Sequence, residues 1–125
     1  MDIVFSAPIP PPRSVLCASR ETLYLGKEQM FRLQLWFNKI AKDYMKGKPK
    51  YKRVMTRFEI TLKSKRSVKI YVLARIYEAL VIGALFKFKL IKHTNGNNVI
   101  GSYGWSIRHD KNIEQDIITC YIMEA

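Results

Sequence analysis

The strongest chemical signature in this chain is cationic. Lys39, Lys42, Lys46, Lys48, Lys50, Lys52, Arg53, Arg57, Lys63, Lys65, Arg66 and Lys69 fall within residues 39–69, opposed only by Asp43 and Glu59. That stretch carries +10 of the chain's net +12. Ammonium and guanidinium groups at such density repel one another unless an anion sits among them. The chemistry open to them is neutralisation of phosphate, on a nucleic acid backbone or on an anionic lipid leaflet. The expectation is a one-sided electrostatic surface with these twelve residues as its contacts.

Bond-making chemistry is thinly provided. His93 and His109 are the only histidines, and neither pairs with a Cys at metal-ligand spacing. The neighbouring His109 and Asp110 read as a solvated turn. Gly101 and Gly104 lie in a strand-like run that does not open a helix, so they form no phosphate loop. There is no Gly-x-Ser-x-Gly elbow. The expectation is a non-enzymatic protein with no cofactor and no metal. Cys17 and Cys120 lie near opposite ends of the chain and read as free thiols in a reducing compartment, although a single bridge between them is also compatible with the sequence.

The elements that must position the cations fit a single domain. The chain has 125 residues, 48% hydrophobic and 26% charged, which suits one folded core. The N-terminus meets Pro8 before an apolar run develops, so it does not read as a secretory signal. The longest uncharged apolar run covers residues 79–86, far below the ~20 residues of a membrane span. Residues 1–13, with Pro8, Pro10, Pro11 and Pro12, read as a flexible arm in polyproline II form that can dock into an aromatic groove. Residues 14–125 then form the domain.

Within that domain, residues 22–25 suggest a short strand. Residues 27–46 suggest a helix, because Met30, Leu33, Phe37, Ile40 and Tyr44 recur at three- and four-residue steps. Phe31, Leu35 and Trp36 widen its apolar face, and Lys39, Lys42 and Lys46 line the opposite side. Residues 47–50 form a basic loop. Residues 54–62 alternate as a half-buried strand, with Val54, Thr56, Phe58, Ile60 and Leu62 inward. After a turn at 64–66, Ser67 caps a second helix reaching about Leu80, with Ile70, Leu73, Ala74, Ile76, Tyr77 and Leu80 inward. Gly83 breaks the pattern, and residues 85–92 look like a strand. Asn95 and Gly96 mark a hairpin. Residues 99–107 and 113–123 complete an antiparallel meander. The fold class is α+β: two helices packed on an antiparallel sheet of four to five strands.

Residues 58–71, FEITLKSKRSVKIY, resemble the start of the globular core of rhabdovirus matrix proteins, especially the vesiculovirus type. In that family an apolar strand passes through a basic turn into a helix with a cation near its start. Here Thr61, Leu62, Lys63, Ser64, Arg66, Val68, Lys69 and Tyr71 fit the pattern. Arg13, after Pro10, Pro11 and Pro12, falls where the family carries its proline-rich budding motif. No tyrosine follows Pro12 until Tyr24, and Ser6-Ala7-Pro8 lacks a preceding proline, so neither budding motif is complete. The resemblance covers these 14 residues closely and residues 50–105 in outline. It implies a viral structural protein found in the virion and the host cytoplasm, peripheral to the inner face of the membrane. The implied partners are an anionic membrane surface, the viral nucleocapsid or RNA, other copies of itself and a host factor reached through the arm. Two other readings stand beside it. One is an RNA-binding module with Tyr44, Tyr51, Tyr103 or Trp105 stacking on bases. The other is an accessory protein that binds a host factor.

Overall fold

The alternation of residues 54–62 places Val54, Thr56, Phe58, Ile60 and Leu62 in the core. In the computed structural model, which describes residues 2–9, 26–63, 70–92 and 99–125, Val54–Leu62 forms strand β2, with these five side chains buried. The other elements are β1 (Ile3–Pro8), α1 (Lys27–Met45), α2 (Ile70–Lys87), β3 (Val99–His109) and β4 (Ile117–Glu124). The strands form one four-stranded sheet in the order β1-β4-β2-β3. Both helices contribute to a single core on one sheet face, built on Leu33, Phe37, Tyr77 and Leu80. Val4, Ser6, Arg57, Thr119 and Tyr121 alternate onto the other face. The α+β class therefore holds, with two helices and four strands among the described residues.

The sheet is mixed, not the expected antiparallel one. β4 pairs antiparallel with both β1 and β2, but β3 runs parallel to β2. A parallel neighbour needs a long crossover, and α2 supplies it between β2 and β3. The expected meander of β3 with β4 is absent, because β2 lies between them. Residues 110–116 instead pass over the end of β2. There the Asp110 N–H donates to the Leu62 carbonyl at 2.9 Å, and the Lys63 N–H donates to Asp116 Oδ1 at 2.8 Å.

Residues 85–92 are not a strand. α2 continues through Gly83 to Lys87, and Lys89 closes the following turn with φ 63°. The Leu90 N–H donates to the Leu85 carbonyl at 2.8 Å. Gly83 does not end the helix; it lets α1 approach. A Cβ at Gly83 would lie 2.6 Å from Cδ of Gln34. The Gln34 amide Nε2 donates to the Leu80 carbonyl at 3.0 Å and to Asn38 Oδ1 at 2.8 Å, joining the two helices.

The N-terminal arm also needs correction over its first residues. Ile3, Phe5, Ala7 and Ile9 are buried, and β1 pairs with β4 along its whole length. The Ile9 N–H donates to the Asp116 carbonyl, so the ring nitrogen of Pro8, one residue back, faces the open edge, where a missing donor costs no ladder bond. The buried Tyr77 hydroxyl donates to the Pro8 carbonyl at 2.7 Å. Pro10, Pro11, Pro12 and Arg13 lie outside the described residues. So do the suggested strand at 22–25, the turn and cap at 64–67 and the hairpin at 93–98.

The helical face of α1 is turned slightly from its expected position. Its buried residues are Leu33, Phe37, Ala41 and Met45, while Met30 and Ile40 lie at the margin. Tyr44 is exposed, although its ring stacks on Phe5 at 5.1 Å. Phe31 and Leu35, expected to widen the buried face, point to solvent.

Candidate anion-facing site

α1 ends at Met45, and its last carbonyls are used by the next turn: the Lys46 N–H donates to the Lys42 carbonyl, and the Lys48 N–H to the Met45 carbonyl. Gly47 takes φ 78°, a left-handed conformation that other residues rarely adopt. The loop is then tied at two points. The Tyr51 N–H donates to the Leu90 carbonyl at 2.8 Å, and the Ala125 N–H donates to the Arg53 carbonyl at 3.0 Å. Tyr51 itself is buried, which raises its hydroxyl pKa, with Asp2 and Glu124 adding to the shift. A rigid base therefore presents Lys39, Lys42, Lys46, Lys48, Lys50, Lys52 and Arg53 at one end of the molecule, all of them exposed.

The remaining predicted cations do not join that surface. Arg57 points to the opposite sheet face, where its guanidinium lies 4.9 Å from the centre of the Tyr121 ring. Lys63 lies at the far end of β2, about 30 Å from Arg53 for a strand of this length. The single twelve-residue surface is thus divided, because a strand runs through the basic stretch and carries its outward residues elsewhere. Lys65, Arg66 and Lys69 lie outside the described residues.

Three cations that the charge run did not include stand next to the basic end. Lys87, Lys89 and Lys92, with Lys50, line an open cleft of about 640 Å³ between α1 and the end of α2. Its apolar walls are Phe31 and Leu35 from α1 and Phe86 from α2, with exposures of 64%, 49% and 52%. Ile91 also lines it and is buried, and no carboxylate lines it. Phe31, Leu35, Asn38 and Lys42 lie at helical spacing on one stripe of α1, so the cleft leads directly to the cations at the end of that helix. The signal was present in the sequence as Phe86-Lys87-Phe88-Lys89, an alternation of apolar and basic residues.

The rings expected to stack on bases are mostly used within the fold. Trp105 stacks on Phe58 at 4.5 Å and 12°, Tyr44 lies on Phe5, and Tyr51 is buried. The side chain of Tyr103 lies outside the described residues. His109 is exposed, and the carboxylate of its neighbour Asp110 is engaged by Arg108 and the Asn112 N–H. Burial raises the pKa of the Cys120 thiol and the Tyr77 hydroxyl, so neither is a nucleophile at neutral pH. Among the described residues no acidic, His or Cys cluster could hold a metal, and no helix is long and apolar enough to cross a membrane.

No protein-family model matches the chain, and no curated protein matches it.

Proposed function

We propose that this is a non-enzymatic, matrix-like viral protein whose basic end binds the phosphates of an anionic membrane surface. One observation carries the reading: seven exposed cations, Lys39 to Arg53, project from the last turns of α1 and from the loop after it, which is fastened to Leu90 and Ala125. A lysine or arginine near an anionic leaflet contributes about 1 kcal/mol. Seven of them approach the ~8 kcal/mol of a micromolar interaction. The resemblance of residues 58–71 supplies the viral meaning, and the order of strand β2 before helix α2 agrees with it. The viral nucleocapsid, further copies of the chain and a host factor are its other proposed partners. The proposed location is the virion and the inner face of the host membrane.

The test is a charge reversal of Lys46, Lys48, Lys50, Lys52 and Arg53 to Glu. The variant should lose binding to vesicles of 30% phosphatidylserine in phosphatidylcholine at ~0.15 M salt, where the screening length is about 8 Å. Its thermal melt should stay close to that of the parent protein. Undiminished vesicle binding would remove the electrostatic reading. Fractionation of purified particles separates a matrix protein, abundant beside the nucleocapsid, from an accessory protein that is absent.

RNA binding is a second reading with its own observation. Arg57 and Tyr121 sit together on the open face of the sheet, where a base could stack. Loss of RNA affinity in Tyr121→Ala, with vesicle binding kept, would favour it.

A further inference from the structure

We infer that Phe31, Leu35 and Phe86 enter the interior of an anionic leaflet and lay the protein on the membrane by its helical face. The inference rests on the reading that the basic end meets anionic lipid, and adds to it an apolar contact and an orientation. The three side chains are exposed by roughly half or more, whereas Leu33 and Phe37 on the same helix α1 are fully buried. They come from two helices fixed to each other by Gln34, so they form one rigid apolar group. Lys50, Lys87, Lys89 and Lys92 surround them, and no carboxylate lines the cleft.

This order of groups, apolar at the centre and cationic at the rim, is complementary to a leaflet. A leaflet presents phosphate at its surface and hydrocarbon just beneath. Lysine stems can lie along the apolar boundary while their ammonium groups stay among the headgroups. RNA supplies the negative charge but no apolar interior. An acidic amphipathic helix supplies both on a smaller scale. Here the basic residues continue past the cleft, from Lys42 on α1 to Lys46 just beyond its end and into the loop at Lys48. From Phe31 to Lys46 this stripe runs for about 22 Å at 1.5 Å per residue. A broad surface satisfies all of it. In this orientation the sheet face carrying Arg57 and Tyr121 is turned away from the membrane.

The test uses the full chain with the triple variant Phe31→Ser, Leu35→Ser, Phe86→Ser, and with Phe86→Trp as a second variant. The probes are vesicles of 30% phosphatidylserine in phosphatidylcholine and a single-stranded RNA oligonucleotide. Withdrawing three apolar side chains from hydrocarbon should weaken vesicle binding roughly 100-fold, with the melt and RNA binding unchanged. Emission of Phe86→Trp should be quenched by brominated lipid beyond the background of Trp36 and Trp105. Vesicle binding equal to the parent protein's, with no added quenching, overturns the inference while leaving the electrostatic reading intact. Persistence of binding in the five-fold Glu variant overturns the electrostatic reading instead. Two other results assign the cleft to a protein occupant and equally overturn the inference. One is loss of concentration-dependent self-association in the triple variant with vesicle binding kept; the other is binding of an acidic amphipathic helical peptide that vesicles do not displace.

Discussion

Cys120 shows how a residue's place in the fold sets its chemistry. It sits on a central strand, opposite Phe58 on one side and Phe5 on the other, and it is fully buried. Burial raises its pKa because the thiolate would lose its solvation. The folded thiol therefore holds its proton at a pH where the unfolded thiol, near 8.5, has begun to lose it. Stability from this group is fully present below that value and falls as pH rises above it. Tyr77, raised by the same burial, adds to the loss at still higher pH. The melting temperature should accordingly decline between pH 8.5 and 10, and Cys120→Ala should flatten the lower part of that decline. A melt independent of pH over this range would show that the thiol is not held in the core.

At the scale of elements, what could be read from sequence depended on whether a segment had a period. Strand β2 was legible because Val54, Thr56, Phe58, Ile60 and Leu62 alternate with the polar Arg57, Glu59 and Thr61, and all five are buried. α1 was legible from its helical spacing, although its buried stripe is centred on Leu33, Phe37, Ala41 and Met45. Residues 79–86 are apolar throughout, so they carry no period, and in sequence Gly83 looks like a break. The structure gives Gly83 a packing role instead, which predicts a coupled pair. Gly83→Ala alone should be neutral or destabilising, because the new methyl displaces the Gln34 amide from the Leu80 carbonyl. In a Gln34→Ala background the same change should stabilise by about 1 kcal/mol, the helix preference of Ala over Gly. Denaturant titration of the four proteins gives the coupling, and strict additivity would mean that the contact is absent.

The same contrast holds for the site and for the sheet. The cations of the basic loop were legible, since they adjoin one another in sequence. Their division from Arg57 and Lys63 was not, because it follows from the direction of β2. The apolar group of Phe31, Leu35 and Phe86 joins residues more than fifty positions apart, and only helix packing brings them together. Strand order was equally hidden, since the pairing of β1 with β4 is a long-range contact with no local signature.

That pairing governs the molecule as a whole. Ser6 Oγ and Thr119 Oγ1 lie 2.9 Å apart across 113 positions of sequence. The chain before Pro8 is therefore part of the core, and removing residues 2–9 should abolish the cooperative melt. It would withdraw Ile3, Phe5, Ala7 and Ile9 and leave the outer edge of β4 bare. Unfolding that stays cooperative, with an unchanged midpoint, would return these residues to the role of a tail. The pairing also has a consequence for synthesis on the ribosome. Of the four strands β1 is made before the others, yet it has no strand partner until β4 has emerged. Until then Phe5 can rest on Phe37 and Tyr44 of α1, but the backbone of β1 stays open to chaperones and proteases. Folding is completed by one late closure that joins β1 to β4, and contacts this distant in sequence make such closure slow.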